Sequence, residues 1–205
     1  MAIAKTQVTT VILAGGLSTR MGGSKGLKLL QGKAMIGWVL DAVRESSAEV
    51  LINVNEKPEA YAQFACRVIA DQMPDWPGPL AGLQAALGEA RSEYILTVPC
   101  DTPLLPHNLV MKLLDALIKD AAEVAVAKIE GYRQPTIALY RKSVLPKLNA
   151  YLGSGKRKVN DWLDMLKLSE VEFEHARDFD NINTQKDLER VELEILKTKS
   201  NSGQR

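Results

Sequence analysis

Histidine and cysteine are both scarce in this chain, two of each, and their scarcity removes several kinds of chemistry at once. Cys66 and Cys100 stand apart, with no C-x-x-C partner and no histidine at metal-ligand spacing, which argues against disulfides and structural zinc. His107 and His175 have no evident triad partner and read as surface or cap residues. Ser18, Ser24 and the cysteines lack a nucleophile setting, so covalent catalysis is not where the residues point. No apolar stretch approaches the roughly 20 residues that cross a bilayer, and residues 1–10 lack the apolar block of a secretory signal. These absences predict a soluble, cytoplasmic protein with no membrane partner. The net charge of +1 leaves no basic excess for a polyanion, so no nucleic-acid partner is expected. Acids are missing altogether before Asp41, where the charged side chains are Lys5, Arg20, Lys25, Lys28 and Lys33. That end suits a small anion, while the acid-rich stretch 161–194 reads as a solvated surface.

What the chain does have is apolar patterning. At 205 residues and 46% hydrophobic it can bury one substantial core, which predicts a single domain over 1–197 and a polar, disordered tail over 198–205. Residues 8–14 form a β-branched apolar run that enters a glycine-rich loop over 15–32, followed by helical spacing over 34–43. Strands are expected over 49–53, 67–70, 93–98, 123–127 and 168–173, with a further apolar run over 135–140. Helices are expected over 58–65, 80–90, 108–118, 144–152, 159–166 and 184–196, the last with Thr184 as its cap and Asp187 three residues on. Alternation of this kind implies an α/β protein with a mostly parallel sheet covered by helices on both faces. Ligands of such sheets bind outside the carboxyl ends of the strands.

Three groups of residues lie at those ends. The loop from Leu13, Ala14, Gly15 and Gly16 through Arg20 and Lys25 combines bare backbone, which can approach phosphate oxygens closely, with two cations to neutralise a triphosphate. It matches neither the P-loop nor the G-x-G-x-x-G spacing, and a plain surface loop is its other reading. In Val98-Pro99-Cys100-Asp101-Thr102-Pro103 a strand ends in one carboxylate between prolines that narrow its direction. Asp101 suits a Mg²⁺ ion bound mainly by nucleotide phosphates, or else caps the turn before the next helix. Asn53, Asn55 and Asp71 follow short strands, and a carboxylate can accept from guanine N1–H and its exocyclic amine; turn-forming roles compete with that reading.

With Gly78-Pro79-Leu80-Ala81-Gly82, Arg133-Gln134-Pro135-Thr136 and Asn181-Ile182-Asn183-Thr184 added, these motifs closely resemble the molybdenum cofactor guanylyltransferases over about residues 8–196. The resemblance implies a three-layer, Rossmann-like nucleotidyltransferase fold in which Leu13, Ala14, Gly15, Gly16, Lys25, Asn53 and Asp71 contact GTP and Asp101 binds Mg²⁺. It implies that Lys25, Arg20 and Asp101 carry the catalysis. Gly78, Gly82, Arg157, Asn181 and Asn183 would face the second substrate, molybdenum-molybdopterin, whose terminal phosphate attacks the α-phosphate of GTP. Transient contacts with molybdenum-insertion and cofactor-delivery proteins go with that role. The chain departs from the family pattern at Ser24, where an aspartate usually precedes the loop lysine, at Ala34 in place of a proline, and in a phosphate loop one residue short. A cytidylyltransferase of the same pathway, a sugar-phosphate nucleotidyltransferase and a non-catalytic GTP-binding delivery adaptor are the alternatives.

Overall fold

A computed structural model describes residues 7–15, 25–73 and 78–202, with side chains to residue 196. The strands are β1 Val8–Leu13, β2 Leu29–Leu30, β3 Lys33–Ala34, β4 Glu49–Asn53, β5 Arg67–Ile69, β6 Tyr94–Pro99, β7 Val124–Ile129, β8 Tyr132–Arg141 and β9 Leu168–Phe173. The helices are α1 Met35–Arg44, α2 Pro79–Glu89, α3 Leu109–Lys119, α4 Leu145–Gly153, α5 Val159–Leu163 and α6 Gln185–Ser202, with short 3-10 turns between elements, one of them at Pro58–Phe64. Seven strands form one sheet in the order β5-β4-β1-β6-β8-β7-β9. All neighbours pair in parallel except β8, which runs antiparallel between β6 and β7. The fold is therefore α/β with a mostly parallel sheet, as the alternation predicts.

β1 and β6, and nearly all of β7, are buried on both faces, which is why these strands read as continuous apolar runs. Side chains alternate between the faces with period two. Val8, Ile12, Leu96, Val98, Ala125 and Leu139 pack with α1 and α3, while Val11, Leu51, Ile95, Val126 and Ala138 pack with α2, α4 and α5. A smaller cluster of Leu30, Met35, Ile182, Leu188, Val191 and Ile195 seats α6 on β2 and the start of α1.

Several elements differ from the sequence expectation. Within the stretch read as one long loop, β2 and β3 form a hairpin whose turn residues Gln31 (φ 51°) and Gly32 (φ 75°) both have positive φ, the geometry that matches strand twist in a two-residue turn. Residues 58–64 wind as 3-10 rather than α-helix. The run expected to end at Ala127 continues to Ile129 and turns back through Glu130 (φ 49°) and Gly131 (φ 82°) into β8. Between Val126 and Lys128 the β7–β8 register shifts, and Pro135 lies in the β8 segment opposite that shift, where a residue without an N–H costs no ladder bond. α6 continues to Ser202, past the expected end near 196 and into the stretch expected to be a tail. No proline or glycine interrupts its hydrogen-bond ladder before Gly203.

Strand register places the site. Leu13 pairs with Asn53 on one side and Pro99 on the other, and Asn53 pairs with Ile69. The last residues of four parallel strands thus stand in one row, and the loops that leave them share one crevice. Chain order along this half runs β5-β4-β1-β6, so the direction of progression reverses between β1 and β6, the switch point where α/β sheets bind ligands.

Candidate functional site

Two polar groups lie along this row. The first is built on β6. Pro99 ends the strand, and the backbone N–H of Cys100 still donates to the Leu13 carbonyl at 3.1 Å, so the chain leaves the sheet in register. Asp101 follows, and its carboxylate accepts from the Lys25 ammonium, with both side chains more than four-fifths buried. Lys25 also donates to Asn183 Oδ1. The segment carrying Asn183 is stitched to the β6 loop at two further points: Ile182 N–H donates to the Asp101 carbonyl at 2.9 Å, and the Thr102 hydroxyl donates to Asn181 Oδ1 at 2.6 Å. Asp187 fixes the far side of that segment, accepting from the N–H groups of Asn183 and Thr184 at 3.0 and 2.8 Å at the entrance of α6. The Thr184 hydroxyl is its third donor, and these bonds together hold its carboxyl below the ordinary aspartate range.

Cys100 explains why Lys25 sits where it does. A Cβ on Gly26 would meet Cys100 Cβ at 3.2 Å and Sγ at 3.3 Å, so glycine lets the 3-10 turn at Lys25–Leu27 lie against the end of β6 without displacing Cys100. Burial, reinforced by the Asp101 charge, pushes the Cys100 thiol up to about 12. It is a neutral packing group, not a nucleophile. Asp101 does not cap the next helix: α3 starts at Leu109 with Asn108 in the cap position.

The second group is built on β4 and β5. Asn53 is 3% exposed, and its Nδ2 donates to Asp71 Oδ1 at 2.9 Å. Asn55 Nδ2 donates to Asp71 Oδ2 at 2.8 Å, while Asn55 Oδ1 accepts from the Asp71 N–H at 2.8 Å. The N–H of Ala14 donates to the Asn53 carbonyl at 2.8 Å, and Gly15 faces the Asn55 amide. A Cβ on Gly82 would fall 2.4 Å from Asn53 Oδ1 and 2.6 Å from Leu13 Cδ2, so the first turns of α2 press directly on this group. Gly78, in the N-cap position of α2 with φ 85°, makes a turn that other residues rarely adopt.

Of the sequence-predicted residues, the structure gathers Lys25, Asp101, Asn181 and Asn183 in one group, and Leu13, Ala14, Gly15, Asn53, Asp71 and Gly82 in the other. Gly82, expected beside the second substrate, lies against Asn53 and Leu13. Arg157, expected on the same side, donates to the carbonyls of Leu152 and Lys156 at the α4–α5 turn and makes no hydrogen bond to either group. A cation suits the last carbonyls of a helix, which is what Leu152 supplies. Gly16 and Arg20 lie outside the described residues. Thr102 had no assigned role, and its bond to Asn181 joins residues 79 apart, beyond any local signal.

Among the described residues no three His, Cys, Asp or Glu side chains form a metal-binding cluster, and no helix is long and apolar enough to cross a membrane. The oxygens of Asp101 and Asn183 nevertheless converge on one cation, the Lys25 ammonium. One carboxylate plus neutral oxygens is the donor set with which Mg²⁺ joins a nucleotide to a protein, and it fits this position.

The family model of the MobA-like NTP transferase domain matches residues 10–171. A protein of Shewanella baltica named molybdenum cofactor guanylyltransferase is 40% identical over 194 residues, covering 94% of this chain and 99% of that protein. The crystal structure of molybdopterin-guanine dinucleotide biosynthesis protein A from Archaeoglobus fulgidus is similar with a TM-score of 0.76 at 24% identity, covering 92% of this chain and 99% of that one. The 4-diphosphocytidyl-2C-methyl-D-erythritol synthase of Anaerococcus prevotii is similar at 0.71 with 15% identity, over 94% of this chain and all of that one. At such low identity these two structures speak for the fold alone.

Proposed function

The chain belongs to the MobA-like NTP transferase domain family, and we propose that it transfers GMP from GTP to the terminal phosphate of molybdenum-molybdopterin, releasing pyrophosphate. The observation that carries this reading is the single row of strand ends at which the Lys25–Asp101–Asn183 group stands beside the Asn53–Asp71 group. One group has the charges for a triphosphate, and the other has a carboxylate for a base that presents two donors.

In this reading Asp71 accepts from guanine N1–H and the exocyclic amine, and the N–H groups of the loop after Leu13 meet the phosphates. Lys25 turns from Asp101 to a phosphate oxygen and neutralises charge that grows on the triphosphate as the α-phosphate is attacked. Asp101, released from Lys25, is the carboxylate that would hold Mg²⁺, with the Asn183 side-chain oxygen beside it. The ion would supply charge neutralisation and alignment of the phosphate oxygens. The attacking group needs no base, because a phosphate monoester with a second pKa of about 6 is already largely ionised near neutral pH. That agrees with a site in which Cys100 is neutral and His107 and His175 stand on exposed turns. The protein works by positioning and electrostatics. The same reading makes it a cytoplasmic enzyme that hands its product to cofactor-delivery proteins.

Incubation of the pure protein with Mg²⁺, molybdenum-loaded molybdopterin and either GTP or CTP tests this directly. Formation of the guanine dinucleotide with stoichiometric pyrophosphate is the expected result. Equal or better turnover with CTP would remove the guanylyl assignment and leave the family membership intact.

A further inference from the structure

We propose that Asn55 is a positioning residue for base selection: it sets the plane of the Asp71 carboxylate so that both oxygens face the two donors of guanine together. The inference rests on the reading of Asp71 as the base reader and extends it to a residue that has no part in that reading.

Asn55 grips Asp71 twice. Its Oδ1 accepts from the Asp71 N–H at 2.8 Å, and its Nδ2 donates to Asp71 Oδ2 at 2.8 Å. The first bond by itself staples the loop after β4 to the loop after β5. The second acts on the carboxylate. An aspartate carboxylate turns broadly about its terminal torsion, so one donor leaves its plane loosely defined. Here Asn53 Nδ2 holds Oδ1 at 2.9 Å while Asn55 Nδ2 holds Oδ2, and two donors on different oxygens remove that freedom. Each carboxylate oxygen accepts about two hydrogen bonds, so one acceptor site per oxygen remains for the base. Guanine offers two adjacent donors, N1–H and the exocyclic amine. Hypoxanthine keeps the first and lacks the second. The preference for GTP over ITP therefore reports on whether both oxygens are aligned, which affinity for GTP alone does not.

Asn55→Asp separates the two bonds. It retains an oxygen for the Asp71 N–H and so preserves the loop staple, but it replaces the donor to Oδ2 with an acceptor. The measurement is competition binding of GTP, ITP and CTP to the full chain, with thermal unfolding as the check on folding. In the unmodified protein GTP should bind at least about tenfold more tightly than ITP, the scale of one well-formed hydrogen bond to a charged acceptor. In Asn55→Asp, measured at a pH where both carboxylates are ionised, the GTP-to-ITP ratio should fall to within about twofold, together with a lower unfolding midpoint because two like charges then face each other at the Asp71 Oδ2 position. Asn55→Ala, which loses both bonds, should show the same collapse of the ratio together with a lower midpoint, and it carries the test where the aspartate variant fails to fold. A residue that only stapled the loops would weaken GTP and ITP alike, so an unchanged ratio in either folded variant overturns the proposal. An unmodified protein that binds GTP and ITP equally overturns both the proposal and the assignment of Asp71 as base reader. Those results are told apart by which protein shows them.

Discussion

At the carboxyl ends of β1, β4, β5 and β6 polar side chains reach between elements and meet in small groups: Lys25 with Asp101 and Asn183, Asn53 and Asn55 with Asp71, Thr102 with Asn181. On β7, β8 and β9 the charges are as numerous but are arranged differently. Arg133 binds Glu170 at 2.6 Å and Asp164 at 2.5 Å, and Lys128 binds Glu170 at 2.8 Å, on the partly exposed surface of β7, β8 and β9. The hydrogen bonds alone do not distinguish the halves, since both are well paired. What differs is whether pairing leaves a polar group poised for something else. Lys25 and Asp101 are the termini of loops that begin where the ladder stops, and exchanging their partner for a phosphate or a metal breaks no strand. Arg133 and Glu170 sit within paired strands, and their partners complete them.

The sharpest way to break this comparison is Asp101→Asn. Asparagine keeps the size and one oxygen but discards the charge, so it should lower kcat by on the order of 100-fold or more while GTP affinity falls only modestly. Under the proposed function the split arises because Asp71 and Lys25 remain to meet the base and the phosphates. Single-turnover rates and GTP binding at saturating Mg²⁺ measure it, with circular dichroism to verify folding. A folded variant with near-normal kcat would make the Lys25–Asp101 pair a structural bridge of the same kind as those on β8.

A smaller effect is expected at Gly82. An alanine methyl there would fall 2.4 Å from Asn53 Oδ1, and Asn53, at 3% exposed, has no room to retreat except by turning its Nδ2 away from Asp71. Gly82→Ala should weaken GTP binding about tenfold, the cost of one such bond, with kcat at saturation changed much less. Undiminished GTP binding would mean that α2 moves outward to admit the methyl and that the nucleotide group is less tightly enclosed than the contact distances indicate.

The fates of these residues show what was legible beforehand. β1, β4 and β6 are long enough to stand out as apolar runs and α3 as a helical spacing, and their positions follow from that alone. The β2–β3 hairpin has two residues per strand, too few to show any period, and neither its turn nor the one at Glu130 carries the Asn-Gly or Asp-Gly signal. In the site, Asn53, Asp71 and Asp101 stood out because they lie at or just past strand ends, and Lys25 as a cation in the glycine-rich loop that follows β1; strand ends in a parallel sheet share an edge. Gly82 and Arg157 were less readable. Which neighbour a helical glycine faces depends on how α2 is rotated, and whether an arginine reaches a ligand or caps α4 depends on a loop path that local residues do not encode. The Thr102–Asn181 bond is purely tertiary.

The smallest effect, and the one that sharpens the comparison from the other side, is expected at Glu170. Its carboxylate accepts from Lys128 Nζ and Arg133 Nε, and these bonds, Lys128 first, hold its carboxyl below the ordinary glutamate range. A carboxyl depressed in the folded state contributes stability that is present above its unfolded value. That contribution is lost as pH falls through the folded value, which here means below 4.5. Glu170 is about one-third exposed, so solvent screens the pair, and Asp164 remains to hold Arg133 once Glu170 is gone. Glu170→Gln should therefore cost under about 1 kcal/mol at neutral pH, less in high salt, and essentially nothing in acid, where the native carboxylate has taken up its proton. Turnover should not change. Thermal midpoints of the two proteins at neutral and acid pH, with and without added salt, measure the first part, and a kcat comparison measures the second. If Glu170→Gln lowered kcat as Asp101→Asn does, the charges of β8 and β9 would belong to the reaction as well, and the division of the sheet into a reactive half and a self-paired half would fail.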